Sequence, residues 1–179
     1  MTSMSAVLER RLGLKAIWED HVSTWSDEVG KKAKRERRLW TWWFFGVPAI
    51  IAAPFLIFHV ELRGLGQILA GTAVFTGLLF GLLGVVFNTG VTLRKEGEKF
   101  PNAHQLPRVV ADLRSNITYA TVVGIVLSMT LVIAAAVGDP KSDVYWLWTI
   151  PIVWLFAHLG LTLLMVLRRF RTAFNYVTR

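Results

Sequence analysis

The sequence predicts an all-α polytopic membrane protein with four transmembrane helices and cytoplasmic helical extensions. The chain of 179 residues is 54% hydrophobic and has a mean hydropathy of +0.47, which is high for a water-soluble domain. Four apolar stretches contain no Asp, Glu, Lys or Arg, and each reaches the roughly 20 residues that a helix needs to cross a bilayer. Basic residues are concentrated in the segments on one side of these stretches.

The residues before the first apolar stretch, 1–38, are predicted to form an amphipathic and basic cytoplasmic helix. Trp18, Val22 and Trp25 are spaced by four and three, which places them on one helix face. Gly13 and Gly30 lie near the two ends of this pattern, and a break in the helix is predicted near either of them. The opposite face carries both acidic and basic residues. That mixture favours packing against other helices, while a position on lipid head groups, which prefers a mainly basic face, remains the alternative.

The membrane domain is predicted to occupy residues 39–167, with a cytoplasmic loop at 89–115 and a basic cytoplasmic tail at 168–179. The four spans are predicted at about Leu39–Phe58, Gly64–Asn88, Asn116–Val137 and Tyr145–Leu167. A helix is expected to begin near Pro107 and to continue into the third span, because proline is favoured at a first helical position. The fourth helix is expected to continue beyond its span through Phe170, Phe174 and Val177, which are spaced by four and three.

Small residues form one stripe on the second span and another on the third. The first stripe consists of Gly66, Ala70, Ala73, Gly77, Gly81, Gly84 and Asn88, and the second of Ala120, Gly124 and Ser128. Small residues let helix backbones approach closely in lipid, so we predict that spans two and three pack together, within a protomer or between protomers. Alternatively, one of these spans lines a pore in a homo-oligomer of four or more copies, because one four-helix bundle has no room for an aqueous path.

His158 is the only titratable side chain deep within a predicted span. The favoured interpretation is structural, a neutral imidazole bonded to a neighbouring helix. A role in a gate or pore is the second interpretation, since buried polar residues in membranes are often functional. A proton relay is the third, and it lacks a partner because no span contains a carboxylate.

The basic residues set the predicted orientation. All 20 Lys and Arg residues except Arg63 and Lys141 fall in the two terminal segments and the central loop, and the net charge is +8. Cytoplasmic segments of membrane proteins carry an excess of Lys and Arg, so we expect both termini and the central loop in the cytoplasm.

A basic run at 31–38 and further basic residues next to the spans are candidates for contact with membrane lipid or an anionic ligand. This set consists of Lys31, Lys32, Lys34, Arg35, Arg37, Arg38, Arg94, Lys95, Arg168, Arg169 and Arg171. The favoured interpretation is topological, with the charges held near anionic lipid. The alternative is a binding surface for a nucleotide, a nucleic acid or a cytoplasmic partner protein.

No motif for catalysis is present. The sequence has no His-Glu-x-x-His, no nucleophile elbow and no glycine-rich phosphate loop, and it contains no cysteine. We therefore expect no catalytic residue, no cofactor and no metal site. Secondary transport is also disfavoured, because transporters usually carry ionisable groups near the midplane and repeated halves.

The order of segments resembles the small four-span membrane effectors of bacterial anti-phage defence operons. A basic helix leads into a membrane hairpin, and a short polar link leads into a second hairpin. That second hairpin is entered through Asp112-Leu113-Arg114-Ser115-Asn116-Ile117-Thr118-Tyr119-Ala120. The resemblance implies a homo-oligomeric pore in the bacterial inner membrane, controlled from the cytoplasm, that dissipates the ion gradient. A membrane-anchored sensor or scaffold that recruits a partner through its basic helices is the alternative, and a holin-like lysis protein is the third.

Overall fold

The computed structural model describes residues 13–25, 31–96, 106–137 and 146–177. These residues form five helices: α1 (Leu14–Ser23), α2 (Lys31–Ile57), α3 (Leu65–Glu96), α4 (Leu106–Val137) and α5 (Trp146–Val177). The last four are long and apolar enough to span a membrane, which confirms the predicted fold class. The remaining parts of the predicted amino-terminal helix, central loop and carboxyl-terminal tail lie outside the described residues.

Helix α1 begins directly after Gly13, whose φ of 59° lies in the left-handed region that favours glycine. The break predicted near Gly13 is therefore confirmed, whereas Gly30 lies outside the described residues. At the other end, the hydroxyl of Thr24 donates a hydrogen bond of 2.7 Å to the carbonyl of His21 and so satisfies an acceptor of the last turn.

The long helices extend past the predicted spans wherever the flanking sequence favours helix. Helix α2 begins at Lys31, so the basic run forms its first turns without a break at residue 38. Lys, Arg and Glu are good helix formers, and no glycine or proline precedes Gly46 in this helix. Helix α4 begins at Leu106, as the position of Pro107 predicts.

The principal helix contacts follow the order α3–α4–α5–α2, and α1 packs on α4. Helices α4 and α5 therefore have neighbours on two sides and provide most of the core. Leu127 and Leu131 of α4 are fully buried, and Ile152 and Leu159 of α5 pack with them. Apolar side chains thus fill the space between α3, α4 and α5.

Spans two and three do pack together, but only the third uses its small-residue stripe. Ala120 and Gly124 of α4 are buried and Ser128 is half-buried. A Cβ atom added at Gly124 would lie 2.5 Å from Oγ1 of Thr76, so the threonine occupies the space that glycine leaves. The stripe on α4 is therefore part of the helix contact within one protomer.

The small-residue stripe of α3 faces away from α4. Every member of this stripe is exposed, and added Cβ atoms at its four glycines would meet nothing within 4 Å. Thr72, Leu79 and Val86 form the buried face instead. At 3.6 residues per turn the two faces lie roughly 160° apart, so they cannot both contact α4. The predicted packing of spans two and three is confirmed, and on the α3 side threonine and larger apolar residues, not the small-residue stripe, fill the contact.

Gly124 and Gly81 provide a matched test of this packing. Gly124→Leu places a side chain against Thr76 and is expected to lower the stability of the protomer by about 1–3 kcal/mol, the usual cost of overpacking. Gly81→Leu adds the same side chain in open space and is expected to leave protomer stability unchanged. Thermal unfolding of the monomeric fraction in detergent, followed by circular dichroism, measures both. Equal losses in the two variants would contradict the assigned faces.

Candidate functional site

The most polar region inside the bundle lies where α1 meets α2, α4 and α5. We call this the basic end, because it is the end at which α2 begins and α5 finishes, with Arg38 and Arg168 on these helices. Five side chains form a polar cluster here: His21, Thr24, Asp112, Asn116 and Arg169. Two come from α1 and the turn after it, two from α4 and one from α5.

His21 and Asn116 form the central contact of the polar cluster, and both are fully buried. The Nδ1 atom of His21 lies 2.7 Å from Oδ1 of Asn116. An amide oxygen can only accept, so Nδ1 carries the proton and donates it. Burial lowers the pKa of His21 to about 4, since the charged ring would lose its hydration. His21 is consequently neutral near pH 7.

Arg169 holds the end of α1 through the main chain. Its guanidinium donates to the carbonyl oxygen of Thr24 and forms an ion pair of 3.0 Å with Asp112. A cation next to the last carbonyls of a helix interacts favourably with the helix dipole. Helix α1 is thus fixed to α4 by a side chain and to α5 by a backbone group.

The polar cluster is only partly satisfied. The Nε2 atom of His21 and the Nδ2 atom of Asn116 are buried, and neither has a hydrogen-bond partner in the described part of the chain. Each buried polar group without a partner costs about 1–3 kcal/mol. These two unsatisfied groups therefore reduce the free energy of docking α1 below the value that burial of its side chains would give.

Aromatic rings surround the polar cluster. The ring of His21 stacks on Tyr119 with centroids 4.0 Å apart, and Trp25 stacks on Phe44 at 5.1 Å. Trp18 meets Phe45 edge to face at 5.8 Å. The face predicted from Trp18 and Trp25 is therefore packed against α2 and α4. Of the two positions considered for this segment, against other helices or on lipid head groups, the structure has the segment packed against other helices.

His158 joins three helices through hydrogen bonds. Pro48 has no N–H, so the carbonyl of Phe44, four residues earlier in α2, lacks its usual helical partner. The Nδ1 atom of His158 donates to that carbonyl at 2.9 Å, and the hydroxyl of Tyr119 then donates to Nε2 at 2.8 Å. The structure thus gives His158 the hydrogen-bonded role that the structural interpretation expects.

The basic candidate residues do not converge on one site. Arg169 alone is drawn into the polar cluster. The side chains of Lys32, Lys34, Arg35, Arg37, Arg38, Arg168 and Arg171 are exposed. Lys31, Arg94 and Lys95 lie on helices, and their side chains are outside what the structure describes. Exposed cations therefore lie at the start of α2 and near the end of α5.

The sequence does not single out His21, Asn116 or Asp112 as site residues. One signal for His21 was present, because it shares a helix face with Trp18 and Trp25 by spacing of three and four. A histidine on such an apolar face needs a polar partner. The sequence cannot identify that partner, since Asn116 lies 95 positions away.

Over the residues that the structure describes, no three His, Cys, Asp or Glu side chains lie close enough together to hold a metal ion. Comparisons with protein-family models, curated proteins and solved structures find no match to this chain.

Acidification is expected to release α1. Above pH 6.5, the ordinary pKa of histidine, His21 is neutral whether α1 is docked or free. Below it, the free form binds a proton that the docked form does not take up until about pH 4. At pH 5 this difference weakens docking by about 2 kcal/mol. Cysteines introduced at Ser23 of α1 and Arg171 of α5, both exposed, carry spin labels. Electron paramagnetic resonance in nanodiscs then measures the distance between α1 and α5 at pH 7.5 and at pH 5.

The matched control for this experiment is His21→Gln, which removes the titrating ring. Its distance distribution is expected to be the same at both pH values. A wild-type distribution that does not change at pH 5, or an equal change in His21→Gln, would contradict the role of His21. The ion pair of Asp112 with Arg169 also faces this site, and His21→Gln retains both residues, so the comparison isolates the contribution of His21.

The link between Pro48 and His158 is testable by a double-mutant cycle. His158→Leu leaves the Phe44 carbonyl and the Tyr119 hydroxyl without partners, so a loss of about 1–3 kcal/mol for each is expected. Pro48→Ala restores an N–H that can donate to the same carbonyl. The cost of His158→Leu should therefore be smaller in the Pro48→Ala background, as measured by thermal unfolding of all four proteins in detergent. Additive effects would show that the two residues do not share this carbonyl.

Proposed function

We propose that this protein is a homo-oligomeric channel of the bacterial inner membrane. In this proposal the channel is gated from the cytoplasm and dissipates the ion gradient during anti-phage defence. The observation that carries the proposal is the uncovered small-residue stripe of α3. Lipid-facing helices need no such stripe, whereas helices that contact another helix in lipid commonly use one.

The packing of the protomer supports conduction between copies rather than through one copy. Apolar side chains fill the space between α3, α4 and α5, with Leu127 and Leu131 at its centre. An open groove of about 510 Å³ runs between α3 and α4 beside the stripe, and Gly77, Thr121 and Ser128 are among its lining residues. A second copy seated along this stripe would cover the groove.

Helix α1 is the proposed gate. It contacts α4 through His21, α2 through Trp18 and Trp25, and α5 through the carbonyl of Thr24. This helix and the two residues after it, Thr24 and Trp25, thus bridge three spans at the basic end. Because its polar contacts are only partly satisfied, a cytoplasmic trigger would need to supply little free energy to displace it.

A membrane-anchored sensor or scaffold is the second candidate. The exposed cations of the first turns of α2, including Arg35, Arg37 and Arg38, favour it. They offer a surface to an acidic protein or a nucleic acid without any need for conduction. In this case the oligomer would form and capture a partner, and no ion leak would accompany capture.

Substitutions on α3 test the channel proposal. Gly77→Leu and Gly81→Leu add bulk on the stripe and are expected to weaken association by about 1–3 kcal/mol, or roughly fivefold to more than a hundredfold. The matched control is Gly71→Leu. Gly71 is equally exposed and has nothing within 4 Å of an added Cβ, but it lies off both the stripe and the buried face.

Two quantities are measured, the mass of the oligomer in mild detergent and the potassium flux from liposomes. The flux is measured at pH 5, because acidification is expected to displace α1. The wild type and Gly71→Leu should be oligomeric and conduct, and the two stripe variants should lose assembly or conduction. A monomeric wild type, or stripe variants that assemble and conduct normally, would refute the proposal. An oligomer without flux in any form would favour the scaffold instead.

A further inference from the structure

A cavity of about 700 Å³ lies at the basic end between α2 and α5. Helix α5 contributes an apolar floor of Leu161, Leu164 and Met165, and α2 contributes the indoles of Trp40 and Trp43. The end of α1 lines one side. The cavity is thus apolar towards the middle of the bundle and bounded by amphipathic side chains towards the basic end.

The charged residues of the cavity are Arg168, Arg169 and Glu36, so cations outnumber acids in its lining. Arg169 is already committed to Asp112 and to the carbonyl of Thr24. Arg168 is exposed at the rim. A guanidinium presents donors in a planar fork that matches the oxygens of a phosphate group.

The indole groups complete the amphipathic character of the cavity. Trp40 and Trp43 are partly exposed near the start of the first span, where tryptophan side chains commonly meet lipid head groups. Trp25 is only 5% exposed, and its Nε1 donor has no acceptor within the described ranges. An oxygen-rich head group bound beside Trp25 would supply hydrogen-bond acceptors next to this side chain.

We propose that this cavity binds an anionic phospholipid, with the phosphate at Arg168 and an acyl chain along the floor formed by Leu161, Leu164 and Met165. A free phosphate compound shares the chemistry of the head group but gives no reason for three apolar side chains below it. The site is separate from the α3 stripe, so the proposal holds whether or not the protein conducts ions.

Native mass spectrometry of the delipidated full chain in mild detergent tests the site. Phosphatidylglycerol and phosphatidylcholine are titrated in separate arms, and glycerol 3-phosphate is the arm without an acyl chain. Phosphatidylglycerol is expected to bind more tightly than phosphatidylcholine, and millimolar glycerol 3-phosphate is expected not to displace it. Equal binding of both lipids overturns the proposal. Displacement of phosphatidylglycerol by glycerol 3-phosphate would show that the site recognises a phosphate group without needing an acyl chain, which also overturns it.

Two arginines on the same helix provide the matched variants. Arg168→Gln is expected to lower the affinity for phosphatidylglycerol about fivefold, which corresponds to about 1 kcal/mol per cation near a membrane surface. Arg171→Gln makes the same charge change at an exposed position that does not line the cavity, and its affinity should stay at the wild-type value. Equal losses in both variants would show that binding follows net charge alone, which overturns the site.

The floor is tested separately by Leu161→Trp, which adds bulk at the apolar floor and leaves Arg168 in place. It is expected to reduce phosphatidylglycerol binding while the helical content by circular dichroism stays at the wild-type value. Retained binding in a folded Leu161→Trp protein would exclude an acyl chain from this floor and overturn the proposal.

Discussion

The buried hydrogen bond between His21 and Asn116 joins an amphipathic segment to a bundle that otherwise consists of apolar spans. A neutral imidazole can lie among Tyr119, Phe44 and the tryptophans, whereas a charged one would lose its hydration, so this contact makes docking of α1 depend on the protonation of one ring. Arg169 adds a second attachment at the end of α1. Among the described residues, the arrangement places the ion pair of Arg169 and the contacts of His21 together at the basic end.

Proline and histidine illustrate how the bundle compensates for local defects. Pro48 removes a donor from α2, and His158 on α5 replaces it at the carbonyl of Phe44. In lipid no water is present to satisfy such a carbonyl, so a neighbouring helix has to do so. The same imidazole orients Tyr119, which stacks on His21. Tyr119 therefore connects His158 in the core of the bundle to His21 on the docked helix α1.

Much of the fold follows from local properties of the chain. Uncharged runs predict the four spans, Gly13 predicts the break before α1, and Pro107 predicts the start of α4, because each depends on a few adjacent residues. The face that α3 turns to α4 could not be predicted in this way, since both its small-residue face and its face of Thr72, Leu79 and Val86 have helical spacing. The partners of His21 likewise depend on tertiary contacts between distant segments.

At neutral pH, α1 is docked on the membrane bundle through His21 and Asn116. Amide hydrogen exchange of the full chain in nanodiscs, read over α1 by mass spectrometry, measures this docking directly. Slow exchange is expected across Leu14–Ser23 in the wild type and fast exchange there in Asn116→Val, with α4 and α5 equally protected in both. Fast exchange of α1 in the wild type at neutral pH would show that α1 is not docked through these residues.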